Sequence, residues 1–235
     1  YQFTKFCFDN SVLEVFSALF NGAAIFVDPE PFRPKNFVKT TKKFPITHAL
    51  FFPGLVAIFP EEALQALSKL RYWIVGAEKL SKQLLERALD ADINVIQNYG
   101  PTETTAYCLT RLMKSGNDPQ NLGRPICNTC VRVMNGELIV KGRGLMRGYL
   151  NSSESFEEGF RTGDLVKLDS EGNVIFIGRN DAQVKIRGNR VDLNEIEQVI
   201  SNMKTINQVK IIFEEEKGKL YCYFTANDKL DVNAI

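Results

Sequence analysis

Short apolar segments alternate with amphipathic ones over the first hundred residues, and this alternation most constrains the fold. The apolar segments are bounded by Gly, Pro or Asp and predict strands at 23–27, 47–52, 72–75 and 93–97. Helical spacing of apolar residues predicts helices at 11–20, 34–43, 60–69 and 81–89. Ser11 is the predicted N-cap of the first helix, with Glu14 completing a capping box. Such alternation predicts an α/β fold, with parallel sheet layers flanked by helices.

The pattern changes at about residue 122, where short alternating strands are joined by Gly-rich turns. This predicts a small antiparallel, β-barrel-like region. A strand, a turn at Gly188, a helix over Leu193–Met203 and two more strands then predict a small α+β C-terminal subdomain. We therefore expect residues 1–178 to be part of a large N-terminal subdomain, residues 179–181 to be a hinge, and residues 182–235 to be an incomplete small subdomain.

Composition excludes several classes of protein. The chain has 29 Lys and Arg against 28 Asp and Glu, and a net charge of +1 argues against a broad basic face for nucleic acid. No window reaches the roughly 18 apolar residues that a membrane helix needs. Five Cys at low density favour a reducing compartment, so we expect a cytoplasmic protein without nucleic-acid or membrane partners. The first residues lack an initiator Met and a signal peptide, which suggests a natural N-terminus further upstream.

Polar and Gly-rich clusters follow the predicted strands, where an open parallel sheet presents its ligand-binding residues. Two of them follow strands: the run Gly76-Ala77-Glu78, and Asn98–Thr105 with the sequence NYGPTETT. The third, Phe8–Ser11, lies just before the first predicted helix. Tyr99 offers an aromatic face for a base, the Thr hydroxyls suit phosphate, and Glu103 suits a hard divalent cation. The alternative interpretation of NYGPTETT is a helix N-cap with an acidic first turn.

Two further segments carry candidate sugar-binding groups. Asp164, after a glycine at the start of a predicted strand, is suited to accept hydrogen bonds from ribose hydroxyls; the alternative is an ordinary turn aspartate. Arg179, after Gly178, is suited to the same sugar or to a phosphate, although a surface salt bridge is the commoner role of an arginine.

Three other signals do not support a site. The glycines at 142, 144 and 148 miss the dinucleotide-binding spacing, because position 147 is Arg. Cys127 and Cys130 form a lone CxxC pair, and the only His, His48, lies far away in the sequence. A zinc site would need at least two further ligands. No Ser/His/Asp or Cys/His arrangement for nucleophilic catalysis stands out.

Six ordered segments carry a family resemblance: FDNSV, GAE, NYGPTETT, GELIVKGRGLMRGYLN, FRTGDL and GRNDAQVKIRGNRVDLNEIE. Together they resemble the adenylation domains of non-ribosomal peptide synthetases, which belong to the adenylate-forming superfamily. The resemblance implies a ligase that joins an amino acid to ATP as aminoacyl-AMP and releases pyrophosphate. It also implies transfer to the phosphopantetheine thiol of a peptidyl carrier domain in the same parent polypeptide.

The resemblance implies roles for single residues in the nucleotide site. Tyr99 would stack on adenine, Thr102 would contact the α-phosphate, and Glu103 would help hold Mg²⁺. Asp164 would bind the ribose hydroxyls with help from Arg179. Thr102, Glu103 and Arg179 are the implied catalytic residues. The residues implied to bind ATP or AMP are Gly76, Ala77, Glu78, Gln97, Asn98, Tyr99, Gly100, Thr102, Asp164 and Arg179.

Asp9 narrows the implied substrate to an amino acid. In amino-acid-activating members an Asp at this place pairs with the α-ammonium, and a carboxylate in an apolar pocket needs such a partner; the alternative is a solvated turn residue. The side-chain pocket implied by the resemblance contains Asn10, Leu13, Leu50, Trp73, Val75, Asn98, Ala106 and Tyr107. Trp73 and Tyr107 take up volume there, while Asn10 and Asn98 offer hydrogen bonds. We therefore expect a small or medium-sized uncharged amino acid.

The segment after Gly178 resembles the hinge about which the superfamily's small C-terminal unit rotates between adenylation and thioester formation. Asp181 matches the pivot, and a few backbone dihedrals suffice for such a rotation. The loop Val184–Arg190 resembles the segment that faces the phosphopantetheine arm. The alternative is a β-turn with basic residues around Gly188.

Two signatures of the superfamily are not found in the sequence: the phosphate loop that ends in Pro-Lys-Gly, and the C-terminal Asn-Gly-Lys motif. We expect them before residue 1 and after residue 235, so we interpret the chain as an internal part of a longer unit that is inactive alone. A carboxylic acid–CoA ligase and a non-catalytic nucleotide-binding or interaction domain remain as alternatives. Asp9 and the Leu/Trp-lined pocket argue against the first, and the intact YGPTE, RTGD and GRND segments argue against the second.

Overall fold

In a computed structural model of the protein, the chain divides into two units, Tyr1–Gly178 and Arg179–Ile235. The structure describes residues 1–152, 156–186, 189–203, 205–214 and 217–226. The helices of the first unit are α1 (Asn10–Phe20), α2 (Pro34–Lys43), α3 (Pro53–Ala57), α4 (Glu61–Ser68) and α5 (Lys82–Asp90). The strands, up to the boundary, are β1 (His48–Leu50), β2 (Tyr72–Val75), β3 (Val95–Tyr99), β4 (Leu109–Leu112), β5 (Asn121–Pro125), β6 (Thr129–Met134), β7 (Glu137–Gly142), β8 (Phe160–Leu168) and β9 (Val174–Arg179).

Among the described residues, nine strands form one sheet in the order β1-β2-β3-β4-β5-β9-β8-β7-β6. β1, β2 and β3 run parallel, and the direction reverses between β3 and β4. The antiparallel strands continue the same sheet beyond that point. The α/β class predicted from the sequence is therefore confirmed. The carboxyl ends of β1, β2 and β3 meet at one edge, which is where an open α/β sheet binds its ligands.

The main core lies between the parallel strands and helices α2, α4 and α5. Trp73 of β2 is fully buried there, and its indole Nε1 donates a hydrogen bond to the carbonyl oxygen of Phe51 at 3.0 Å. The helices contribute buried residues at helical spacing: Phe37, Ala63, Leu64, Leu67, Leu84, Leu85 and Ala88. No helix in the described part of the chain has the length and apolarity that a bilayer crossing requires.

Phe51 is the centre of an aromatic group in this core, so its truncation is predicted to be strongly destabilising. Its ring centroid lies 5.1–5.2 Å from those of Phe3, Phe32 and Phe37. Phe51→Ala should lower the free energy of unfolding by about 3–5 kcal/mol, because the change removes buried surface and leaves a cavity. Ile58, which is 75% exposed, provides the control. Ile58→Ala should change the free energy of unfolding by about 0.5 kcal/mol or less. Urea denaturation measures both, and equal midpoints would contradict this packing.

The strand predicted over residues 23–27 is wrong. Among the described residues, the segment makes only one isolated bridge, between Val27 and Gln2, and Val27 is 63% exposed. A short helix, α3, follows β1 and begins at Pro53; the sequence did not predict it. Pro at the first helical position favours this start, because the N–H that proline lacks would have no intrahelical partner at that position.

α1 begins one residue earlier than predicted, and Ser11 is not its N-cap. Asp9 is the cap, and its carboxylate accepts a hydrogen bond from the Asn10 N–H at 2.8 Å. Glu14 closes no capping box either. It reaches back and accepts hydrogen bonds from the backbone N–H groups of Phe3 and Thr4, the latter at 2.9 Å. The first residues of the chain are thereby fastened to α1, which carries Asp9.

The second unit has the α+β arrangement predicted from the sequence. β10 (Gln183–Ile186) pairs antiparallel with β11 (Asn189–Asp192), and β12 (Ile206–Glu214) pairs with β13 (Lys219–Ala226). α6 (Leu193–Ser201) packs beside β12 through a small core of Ile200, Ile206 and Ile211. The predicted turn at Gly188 lies outside the described residues.

Candidate functional site

The backbone is strained just after β2 and β3. Ala77, Thr105 and Ala106 have φ values of 66°, 58° and 68°, in the left-handed region that residues with a Cβ rarely adopt. The other described non-Gly residues with positive φ are Asn or Asp, which tolerate that region. Strain of this kind persists only where the surroundings impose it, and it clusters at functional sites. It marks the loops at the carboxyl ends of β2 and β3 as the candidate site.

Two predicted site glycines allow these loops to meet. A Cβ on Gly76 would lie 2.9 Å from Cε1 of Tyr107 and 3.0 Å from the carbonyl oxygen of Asn98. A Cβ on Gly100 would lie 2.5 Å from the carbonyl oxygen of Ala106. A side chain at Gly100 would clash with the backbone of Ala106, and one at Gly76 would clash with the ring of Tyr107. The ring of Tyr107 is therefore held closely against the ends of both strands.

β3 and β8 bring Tyr99 and Asp164 together from positions far apart in the sequence. The Tyr99 hydroxyl donates a hydrogen bond to the Asp164 carboxylate, which is buried. Burial, and then the charge of Asp164, raise the pKa of Tyr99 well above its usual range, so the phenol keeps its proton. Asp164 lies inside β8 rather than at the start of a strand as predicted. An aromatic ring and a carboxylate thus share one side of the loop after β3.

The NYGPTETT segment forms a single 3₁₀ turn over Thr102–Thr104, so it does not cap an α-helix. Thr102 is exposed, whereas Glu103 is only 5% exposed. The Tyr149 hydroxyl donates a hydrogen bond to Oε1 of Glu103 at 2.6 Å, and the Thr105 hydroxyl donates to the carbonyl oxygen of Gly144 at 2.6 Å. The turn is therefore fixed in place by the segment after β7.

Sequence reasoning missed Gly144 and Tyr149 as residues of the site. A Cβ on Gly144 would lie 3.2 Å from the carbonyl oxygen of Thr104, and the Met146 N–H donates to the carbonyl oxygen of Glu103 at 2.9 Å. Their segment, GRGLMRGYLN, contributed to the family resemblance, which was the available signal. The contacts show that it supports the 3₁₀ turn.

The geometry of Glu103 fits a magnesium ion that is bound mainly by phosphate. No cluster of three or more His, Cys, Asp or Glu suited to a metal ion is found in the described residues. Mg²⁺ is commonly held by one or two carboxylates together with substrate phosphates and water. One oriented carboxylate beside the exposed Thr102 hydroxyl meets that requirement.

Four residues of the implied side-chain pocket meet in one cluster. Leu50, Ala106 and Tyr107 are buried together, and Leu13, Phe52 and Ile74 pack against them. Trp73 and Val75 lie in the main core instead. The reason is strand alternation, because Leu50 is in register with Ile74 and these two share a face of the sheet. Ile74, which sequence reasoning missed, is the β2 residue that contacts the cluster.

Asp9 and Asn10 lie at the start of α1, the helix whose Leu13 packs against this apolar cluster. Burial raises the pKa of Tyr107 well above its usual range, and the negative charges of Asp9 and Glu14 add to the effect. Asp9 caps α1 one turn before Leu13, the residue of this helix that packs against the cluster. Asn10, one turn before Leu13 on α1, is buried on the same side of the helix.

The remaining predicted residues of the first unit have identifiable partners. Gln97 donates from Nε2 to the carbonyl oxygen of Pro119 at 2.7 Å, while its Oε1 has no hydrogen-bond partner within the described part of the chain. Asn98 accepts from the Thr110 hydroxyl at 2.6 Å. Glu78 accepts from the Gly54 N–H at 3.0 Å and so fixes the start of α3. The implied nucleotide contacts of these residues stay predictions.

In the second unit, Arg179 and Asp181 form a bidentate ion pair. Arg179 donates from Nε to Oδ1 of Asp181 at 2.6 Å and from Nη2 to Oδ2 at 2.5 Å. Burial alone would raise the pKa of Asp181, but hydrogen bonds from Arg179 and from the Gln183 N–H hold it below its usual value. The stabilisation by this pair is therefore present at neutral pH and is lost as the pH falls through that lowered pKa.

A model of the AMP-binding enzyme family matches residues 1–150, which is more than half of the chain. The chain belongs to this family. Its similarity to curated relatives extends over almost the whole chain. It is 32% identical over 267 residues to bacitracin synthase 1 of Bacillus licheniformis, and 31% identical over 262 residues to tyrocidine synthase 3 of Brevibacillus parabrevis. These matches cover 100% and 98% of the chain but only 5% and 4% of the two synthases.

Solved structures confirm the same fold for this member of the family. An NRPS protein containing adenylation and PCP domains superposes with a TM-score of 0.85 at 26% identity, over 98% of this chain and 53% of that chain. The o-succinylbenzoate CoA synthetase of Bacillus subtilis superposes with a TM-score of 0.83 at 20% identity, over 96% of this chain and 51% of that chain, which shows the fold alone. The resemblance to peptide synthetase adenylation domains, predicted from motif order, is confirmed.

Proposed function

We propose that the full-length protein activates an amino acid as aminoacyl-AMP and transfers it to the phosphopantetheine thiol of a peptidyl carrier domain in the same polypeptide. The observation that carries this proposal is the position of Asp9 at the N-cap of α1, four residues before Leu13, which packs against the cluster of Leu50 and Tyr107. A carboxylate beside apolar groups requires an opposite charge, and the α-ammonium of an amino acid supplies it. The similarity to peptide synthases supports the carrier as acceptor.

The proposed first reaction needs positioning more than a covalent protein group. A carboxylate oxygen of the amino acid attacks the α-phosphorus of ATP, the bond from that phosphorus to the bridging oxygen breaks, and pyrophosphate leaves. Tyr99 faces adenine, Asp164 accepts hydrogen bonds from the ribose hydroxyls, and the exposed hydroxyl of Thr102 reaches the α-phosphate. Glu103 would hold Mg²⁺, which neutralises phosphate charge when it is bound.

Amino-acid-dependent exchange of labelled pyrophosphate into ATP tests this proposal on the full-length protein. Exchange with one amino acid, and none with the corresponding acid that lacks the amine, is the expected result. Exchange with fatty or aryl acids, followed by thioester formation on free CoA, would establish the carboxylic acid–CoA ligase instead. Failure of every acid to support exchange, with ATP still bound, would establish a non-catalytic nucleotide-binding domain.

We further propose that the protein works in a reducing compartment, the cytoplasm. All five cysteines lie in the described residues and are free, although Cys127 and Cys130 are exposed and separated by only two residues. Disulfides form and persist mainly in oxidising compartments. The buried Cys108 is kept as a neutral thiol, because burial raises its pKa to about 12. These features support a chain that carries no structural disulfide.

Asp181 is the proposed hinge between the two half-reactions, three residues beyond the end of the first unit. Asp181→Pro fixes φ near −65°, so it should leave pyrophosphate exchange close to wild type but slow thioester formation about tenfold or more. Asp181→Ala breaks the ion pair with Arg179 but leaves φ free, and it should retain both half-reactions. Rapid-quench assays measure the two rates, and equal loss of both in the Pro variant would contradict the hinge.

A further inference from the structure

Two buried polar groups beside the apolar cluster have no hydrogen-bond partner within the described residues. They are the Tyr107 hydroxyl and the Oδ1 of Asn10, and each residue is 6% exposed. Buried polar side-chain atoms in native proteins are nearly always paired, because an unpaired one loses its hydration without compensation. Two such groups, one in the cluster and one on the helix that packs against it, indicate that a ligand supplies the missing partners.

Both groups are linked to the same apolar cluster. Tyr107 is part of the cluster with Leu50 and Ala106, and Leu13 of α1 packs against it. Asn10 lies three residues before Leu13, which places it on the same face of α1. Because Gly76 lacks a Cβ, the Tyr107 hydroxyl lies close to the backbone at the end of β2. The two groups therefore lie where the substrate side chain is proposed to enter.

The third polar residue of the implied pocket is already engaged. Oδ1 of Asn98 accepts a hydrogen bond from the Thr110 hydroxyl on the neighbouring strand at 2.6 Å. Asn98 therefore has less capacity for a substrate than its position in the sequence indicates. Hydrogen bonding to the substrate side chain therefore depends on Tyr107 and Asn10. The sequence had indicated only that Tyr107 takes up volume in the pocket.

We propose that the amino acid substrate carries a neutral hydrogen-bonding side chain, a carboxamide or a hydroxyl, which binds between Tyr107 and Asn10. This inference rests on the proposed function. A phenolic hydroxyl both donates and accepts, and so does a carboxamide, so a side chain with both capacities satisfies both residues. An apolar side chain would leave the two groups unpaired. An acidic side chain would bring a second negative charge towards Asp9, which precedes Asn10 at the start of α1.

Matched pairs of amino acids test the inference in pyrophosphate exchange by the full-length protein: threonine against valine, asparagine against leucine, and glutamine against methionine. The preferred substrate should be a polar member, with kcat/KM about 100-fold or more above that of its apolar partner. Such discrimination is expected because a site built to hydrogen-bond a group strongly rejects the analogue that lacks it. The dissociation constants of non-hydrolysable aminoacyl-AMP analogues should show the same ratio between the polar and the apolar member of a pair. This measurement uses the wild-type protein alone.

Tyr107→Phe removes only the hydroxyl and should lower the polar-to-apolar ratio about tenfold or more, since the pocket then offers one partner fewer. Tyr72→Phe, on β2 but outside the cluster, is the matched control and should leave the ratio unchanged. Preference for the apolar members, or an unchanged ratio in Tyr107→Phe, would overturn the inference and leave the proposed function standing. Failure of every amino acid to support exchange would overturn the proposed function, and this inference with it.

Discussion

The Asp9→Asn variant of the full-length protein is expected to lose about 100-fold in kcat/KM for the amino acid while its affinity for ATP stays unchanged. Breaking a buried charge pair costs about 3–5 kcal/mol, because the remaining charge is left desolvated. Asp9 is only partly buried, so the lower end of that range applies. About 3 kcal/mol corresponds to roughly 100-fold. Pyrophosphate exchange with varied amino acid, and calorimetry with ATP, measure the two quantities.

Asparagine separates the charge of Asp9 from its structural role. Asp9 caps α1 by accepting from the Asn10 N–H, and asparagine is an equally good N-cap. Ser81→Ala provides the matched control, because Ser81 caps α5 by accepting from the Leu84 N–H at 3.1 Å and lies outside the cluster. That change should lower stability by about 1 kcal/mol without altering substrate affinity. A parallel fall in ATP affinity in Asp9→Asn would contradict the assigned role.

Asp164→Ala should weaken ATP binding about 100-fold or more, which is the second large effect. A carboxylate that accepts from ribose hydroxyls forms charge-assisted hydrogen bonds, each of which contributes about 1.5–3 kcal/mol. The substitution also removes the acceptor of the Tyr99 hydroxyl. Asp169 serves as the control, since it accepts hydrogen bonds from Asn173 in the turn after β8. Asp169→Ala should lower stability but keep the affinity for ATP.

Comparing two nucleotides distinguishes a lost contact between Asp164 and the ribose from a general loss of folding in the variant. The wild-type protein should bind ATP about tenfold more tightly than 2′-deoxy-ATP, the ratio expected for one charge-assisted hydrogen bond. Asp164→Ala should bind both nucleotides equally, because the group that distinguishes them is gone. Titration calorimetry gives the four dissociation constants. An unchanged ratio in the variant would show that Asp164 does not contact the ribose.

The fold was largely predictable because its main elements carry strong periodic patterns. α4 and α5 bury residues at helical spacing, and the apolar segments at β2 and β3 are each enclosed by turn residues. The strand expected at 23–27 failed, because a short apolar run forms a strand only where a neighbouring strand pairs with it. Within the described part of the chain, that neighbour is missing apart from one bridge. Pairing is a tertiary property, and local pattern does not report it.

The site was predictable in its members but not in its contacts. Motif order identified Tyr99 and Asp164, yet nothing in the sequence joins two residues 65 positions apart. The sequence also did not show which residues of β2 face the pocket. A shift of one residue exchanges Trp73 for Ile74 on that side of the sheet. The positive φ of Thr105 has no sequence signal, since Thr is a residue type that avoids such values. Register and strain arise from packing around the loops.

Intact mass measurement of the carrier's phosphopantetheine arm tests the central claim most directly, because it detects the product of both proposed steps. The full-length protein, incubated with ATP and amino acids, should gain on that arm the mass of one aminoacyl group. The gain should require ATP and should disappear in Asp9→Asn at limiting amino acid. An arm that stays unloaded with every amino acid, while a carboxylic acid forms a thioester on free CoA, would contradict the account.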